Sequence, residues 1–210
     1  MKTLLDIETW NRKEHYLFFK QFEEPFFGIT TTIDCTKAYQ KAKQLGTSFF
    51  VYYLHKCILA VNAIESFRYR IIEDEIYIFD TIDASTTILR EDLTFGFSLI
   101  QFSPDFDTFS EKTYEEIKRV KNNTTGIFTR DFTRKNIIHT SSLPWINFSS
   151  ISHARSFTFP DSCPKISFGK MKLKKSGKRL MPVSVHVHHG LVDGYHLGQF
   201  VNYFQELMNE

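Results

Sequence analysis

Long apolar runs are missing from this 210-residue chain. The longest, residues 49–54, falls far short of the roughly 18 residues that a membrane-crossing helix needs, so a spanning helix is excluded. Cysteine is scarce as well. Cys35, Cys57 and Cys163 are odd in number and widely spaced, so they build neither a disulfide framework nor a zinc cluster, and they fit a reducing cytoplasm. Charge of one sign is also lacking, with a formal net of +2; without a long basic face, nucleic acid is not an expected partner. The start, Met1-Lys2-Thr3-Leu4-Leu5-Asp6, reaches an acid before an apolar segment can form, so no signal peptide is expected. No Pro-, Gly- or Ser-rich linker divides the chain and no repeat recurs, which predicts a single domain over residues 1–210.

Phenylalanine is what the chain has in excess, 22 residues in all. Most of these rings must fill a core, and some are expected to line a pocket or an interface. A pass along the chain predicts a mixed α/β domain. Residues 27–33 are rich in β-branched side chains and read as a strand. The Lys- and Ala-rich stretch 36–45 reads as a helix, and Ser48 as the cap of a buried core helix over 49–64. Residues 67–72 and 76–79 flank the acidic turn Glu73-Asp74-Glu75 as a hairpin. Strands are expected at 85–89, 93–100, 137–142 and 165–171. A helix with a charged face is expected over 107–120, closed by Asn122-Asn123-Thr124-Thr125-Gly126, and a polar connection over 172–179.

The richest chemistry lies near the end, in His188-His189-Gly190-Leu191-Val192-Asp193-Gly194. From 180 to 189 the residues alternate. Val183, Val185, Val187 and His189 share one face of a strand, and Ser184, His186 and His188 the other. Asp193 then stands where a helix cap belongs, ahead of Leu197, Phe200, Val201, Phe204, Leu207 and Met208 at helical spacing. Two readings of His189 stay open on these residues alone: a general base at a strand-to-helix junction, for which the two glycines would supply a sharp turn, or a packed imidazole beside a capping aspartate. His186 and His188 have ligand-like spacing on one strand face, but no third ligand adjoins them, and no metal is expected.

Three separated motifs then agree. His188-His189-Gly190-Leu191-Val192-Asp193-Gly194, the early Trp10-Asn11-Arg12-Lys13-Glu14-His15 and the internal Ser141-Ser142-Leu143-Pro144-Trp145 resemble, in order and over nearly the whole length, the chloramphenicol acetyltransferase family. The resemblance implies a two-layer sandwich with a mixed sheet, of the CoA-dependent acyltransferase type. It implies acetyl-CoA as co-substrate, with no tightly bound cofactor. His189 would deprotonate a hydroxyl of chloramphenicol, which attacks the thioester directly and leaves the antibiotic inactive. Ser141 would stabilise the oxyanion, and Asp193 would pair with Arg12 as architecture. Trp145 and Lys170 would lie near the coenzyme, and Phe18 and Phe19 would line the acceptor pocket. Family members are homotrimers with active sites between subunits.

Departures from the pattern fall at His153 and Arg155, where the family usually presents apolar residues, at the acidic Glu23 and Glu24, at Met171 where an aromatic is usual, and in a longer 172–179 connection. Two alternatives to chloramphenicol acetylation follow: the same mechanism on another hydroxyl or a thiol, or a non-catalytic trimer that only binds.

Overall fold

A computed structural model describes residues 1–123, 126–128, 133–156 and 161–210. In chain order the elements are β1 (Lys2–Leu4), α1 (Lys13–Phe19), β2 (Phe26–Asp34), α2 (Thr36–Gln44), α3 (Phe49–Ala63), β3 (Tyr69–Ile72), β4 (Glu75–Phe79) and β5 (Asp83–Leu89). They continue as β6 (Phe95–Phe97), α4 (Phe106–Asn122), β7 (Ile137–Leu143), β8 (Lys165–Gly169), β9 (Lys172–Leu173), β10 (Arg179–His188) and α5 (Gly194–Met208). Among the described residues the main sheet runs β2-β10-β8-β7-β5-β6, with β9 also on β10, and a small sheet runs β1-β4-β3. The main sheet is mixed: β7 is parallel to β5 and to β8, while β10 is antiparallel to β2 and β8.

Alternation along β10 sets the layers. Val183, Val185 and Val187 are buried on one face with Ile166, Phe168 and Ile138, beneath α3 and α5. Phe204 and Tyr53 reach Phe168 with ring centroids 6.3 and 4.7 Å away, and Phe67 stacks on Phe200 at 4.9 Å. This is the core, and removing a ring such as Phe200 from it costs about 3–5 kcal/mol. The opposite face is polar, formed by Ser184, His186 and His188 of β10, Lys165 and Ser167 of β8, and His139 and Ser141 of β7. Segment 151–156 lies against it, with the His153 ring 4.7 Å from that of His186.

Local chemistry explains most of the boundaries. Ser48 caps α3 by accepting the Phe50 N–H at 3.2 Å. Asp105 caps α4 through the Thr108 N–H at 2.9 Å, and that helix runs to Asn122; Thr124 and Thr125 of the expected stop lie outside the described residues. The hairpin turns on Glu73 and Asp74, both in the left-handed region. Its first strand begins two residues later than the pattern predicts, because Phe67 and Arg68 belong to a tight helical turn in which the Phe67 N–H bonds to the Ile64 carbonyl. The expected strand at 93–100 shrinks to β6. Leu93 turns in the left-handed region, and the Leu99 N–H leaves the ladder to donate to Glu116 of α4 at 2.7 Å. The expected 165–171 strand ends at Gly169, and the polar connection carries the two-residue β9, which pairs with β10. All three cysteines are buried and free. No helix among the described residues is long and apolar enough to cross a membrane.

Candidate active site

His189 is the first residue past β10, and its ring lies between two aromatics. Phe19, the last residue of α1, stacks on it at 4.1 Å and 13°, and Phe27 of β2 packs on it at 4.1 Å and 31°. Phe27 pairs with Val187, so His189 continues the inward row of β10 as its alternation predicts. Its backbone N–H donates to the Pro25 carbonyl at 2.8 Å. The Nδ1 atom is buried without a hydrogen-bond partner, which sets it apart from Nε2. Phe18 does not touch this ring. It joins Phe19 and Phe22 in a cluster with centroids 5.1–5.2 Å apart, and is 57% exposed.

The turn after His189 is built by hydrogen bonds rather than by left-handed glycine. The expected turn is present, and neither Gly190 nor Gly194 reaches it through a positive φ. Gly190 is needed for closeness: a Cβ there would stand 3.0 Å from His188 Cε1, and its N–H donates to His188 Nδ1 at 3.1 Å. Gly194 has open space around it and simply begins α5.

Asp193 caps α5 through the Tyr195 N–H at 3.0 Å and takes the Arg12 guanidinium on its other oxygen. Arg12 also reaches the His189 carbonyl at 3.3 Å, so the pair ties the start of α1 to the turn that carries His189. Burial pushes the Asp193 carboxyl up, but Arg12 and the His196 ring outweigh it and hold it below the usual carboxylate range. His188 is buried and kept neutral, down to about 4, first by that burial and then by the Arg155 charge.

The other expected site residues gather elsewhere. Ser141 lies on the polar face of β7, aligned with Ser167 of β8 and so with Ser184 of β10. Its neighbour Ser142 points to the core side, where its hydroxyl meets the Tyr53 hydroxyl at 2.8 Å. Trp145 follows at the end of β7, 65% exposed, and Lys170 sits beside it through the hydrogen bond from its N–H to the Ile146 carbonyl at 2.7 Å. A cleft of about 330 Å³ at this end is lined by Thr30, Thr32, Asn147, Lys172 and Lys174 among others; His189 is not part of its wall. The register puts Ser141 two strands across and five residues along from His189, ~10 Å and ~16 Å respectively, so one chain does not bring them together.

His153 and Arg155 are both engaged within the chain. The His153 ring meets His186 edge-on, and the Arg155 guanidinium lies 3.5 Å over the Phe26 ring while pairing with Glu24. Among the described residues no group of three His, Cys, Asp or Glu could hold a metal. His186 instead packs flat over Gly28, where a Cβ would come within 2.3 Å of its ring. Sequence reasoning missed Phe27 and the Pro25 carbonyl, for which the only available signal was the pairing of residues 27–33 with the last strand.

The arrangement is that of the CoA-dependent acyltransferase cores. A solved structure described as a probable dihydrolipoamide acetyltransferase from Listeria monocytogenes shares the fold, with a TM-score of 0.68 at 14% identity over 93% of this chain and 88% of that one. Similarity narrows from there. A solved chloramphenicol acetyltransferase is 31% identical with a TM-score of 0.87, covering 99% of this chain and all of that one (100%). Chloramphenicol acetyltransferase 3 of Escherichia coli is 30% identical over 209 residues, 99% of this chain and 97% of that protein. The family model described as chloramphenicol acetyltransferase matches residues 1–205. This chain belongs to the chloramphenicol acetyltransferase family.

Proposed function

We propose that this chain transfers an acetyl group from acetyl-CoA to a hydroxyl of chloramphenicol, in the cytoplasm, at sites formed between copies of itself in a homotrimer. The observation that carries the reading is the His189 ring, fixed between Phe19 and Phe27 with Nδ1 shut away from solvent. Such a ring can offer its other nitrogen, and no other, to an acceptor. His189 Nε2 takes the proton of the hydroxyl, and that oxygen attacks the thioester carbonyl. The tetrahedral oxyanion accepts a hydrogen bond from the Ser141 hydroxyl. The intermediate then collapses, the C–S bond breaks, and the CoA thiolate leaves with the proton that His189 held. General-base help of this kind is typically worth 10²–10⁴ in rate, and one oxyanion donor about 10²–10³.

The distance between His189 and Ser141 within one chain supports the shared site. A heterologous contact repeated around a three-fold axis would set the His189 end of one copy against the Ser141 end of the next. The Ser141 end would then hold the coenzyme, with Trp145 against its arm and Lys170 near its phosphates, while Phe18 and Phe19 line the acceptor side. Coenzyme would enter and leave as a co-substrate. Asp193 and Arg12 are assigned to architecture, since both are spent on holding the turn. The contacts that engage His153 and Arg155 within the chain also fit chloramphenicol better than an acceptor those side chains would have to greet.

Mixing two inactive variants tests the reading. His189→Ala and Ser141→Ala should each release almost no CoA from acetyl-CoA and chloramphenicol. Unfolded together and refolded, they should recover roughly a quarter of wild-type activity, the share of sites in a randomly mixed trimer that draw one intact residue from each neighbour. No recovery on mixing would place both residues of one site in the same chain and end the shared-site reading.

A further inference from the structure

Arg155 stands on segment 151–156, outside every motif, and its guanidinium makes two contacts at once. It pairs with the Glu24 carboxylate and lies 3.5 Å over the Phe26 ring. Both partners lead to the histidine turn. Glu24 Oε1 accepts the Phe26 N–H at 3.0 Å, which fixes the peptide around Pro25, and the Pro25 carbonyl holds the His189 N–H at 2.8 Å. Phe26 meets the His188 ring edge-on at 5.7 Å, and His188 Nδ1 accepts the Gly190 N–H that closes the turn.

We infer that Arg155 and Glu24 form a clamp that aims the His189 ring, acting through Pro25 on one side and through Phe26 and His188 on the other. Arg155 is a positioning residue: it touches no reacting atom, and it sets where the base points. The inference rests on the proposed acetyl transfer for its kinetic readout alone. A protonated His188 Nδ1 cannot accept from Gly190, so the turn needs a neutral ring. Burial keeps it neutral first, and the Arg155 cation adds to this; Asp161 pulls the other way, and the His189 ring reinforces Arg155. Lys165 lies further off, 4.6 Å over the Phe26 ring, and the Glu24 charge is taken up by Arg155.

The test compares Arg155→Ala and Arg155→Lys in the full-length protein. For Arg155→Ala, kcat should fall about 10- to 100-fold, as expected when a reacting group is displaced by around 1 Å, with KM for both substrates within about threefold. In the same variant the His188 ring should take up a proton at higher pH than in wild type, read by NMR, and in Arg155→Lys it should titrate as in wild type. If the Ala variant does not fold, Glu24→Gln serves in its place: it should lower kcat severalfold and leave the His188 titration unmoved, because the cation stays. An unchanged kcat, a loss carried by KM, or a lower Tm with no movement of the His188 titration in Arg155→Ala would each overturn the clamp. If wild type turns over no chloramphenicol, the functional reading fails by itself, and the His188 titration still decides this one.

Discussion

The two ends of β10 are built in opposite ways. At its C-terminal end His189 is pressed between two rings, its backbone is held by Pro25 and Arg12, and the next turn is closed by His188 and capped by Asp193. Towards its N-terminal end Thr30, Asn147, Lys172 and Lys174 line an open cleft, with Lys170 and the mostly exposed Trp145 close by and Ser141 level with Ser184 at the middle of the strand. On the proposed function, the base must be aimed before the substrate arrives, which fits the packing and the hydrogen bonds at its end. On the same reading the other end would take up and release a long, charged coenzyme, for which exposed cations and an uncovered aromatic face are suited. On the proposed function, the chain is half a rigid base and half a docking berth, and each half needs its counterpart from another copy.

The largest expected break in that contrast is at the rigid end. His189→Ala should lower kcat by about 10²–10⁴ and, with the ring gone from between Phe19 and Phe27, also lower Tm, measured by CoA release and calorimetry. Ser141→Ala should follow with about 10²–10³ in kcat and little change in KM for chloramphenicol. Gly28→Ala should act through structure. The new methyl would meet the His186 ring within 2.3 Å, and a cost of about 1–3 kcal/mol in chemical denaturation is expected from overpacking.

Acid should loosen the rigid half first, and the sign follows from the groups involved. His188 and His153 are both held neutral to about 4, chiefly by burial, whereas an unfolded histidine takes up its proton near 6.5. Between those values the unfolded chain binds more protons, so stability falls as pH drops from about 6.5 to 4. Asp193, held below its ordinary 3.8, adds a second loss at still lower pH, as its folded carboxyl is protonated and releases Arg12. His153→Gln should flatten the first of these slopes in a plot of Tm against pH and leave the second. The smallest effect belongs to the open end: Lys170→Ala should raise KM for acetyl-CoA a few-fold and lose that effect in high salt, because the lysine is exposed.

Much of this contrast was legible in the sequence. Alternation along β10 placed His189 on the inward row, and helical spacing after Asp193 placed the cap, because both follow from local periodicity. Phe27, Pro25 and Arg155 were illegible as parts of one site. Their role depends on the pairing of β2 with β10 and on where segment 151–156 crosses the sheet, and neither leaves a local pattern. The glycines were half legible for a related reason. Gly190 serves a close approach to His188, a demand set by a neighbour in space, and it looks the same in sequence as a glycine that serves a backbone angle.

The three sulfhydryl groups have a practical consequence. All are buried, out of reach of a bulky reagent; burial also pushes Cys35 up to about 12, and although at Cys163 burial is outweighed by the His139 ring, which holds that thiol below its usual value, its sulfur too is enclosed. A chromogenic disulfide reagent added to the native enzyme should therefore stay colourless until coenzyme is liberated. The same reagent in denaturant should count three equivalents per chain, so one dye reports both turnover and unfolding.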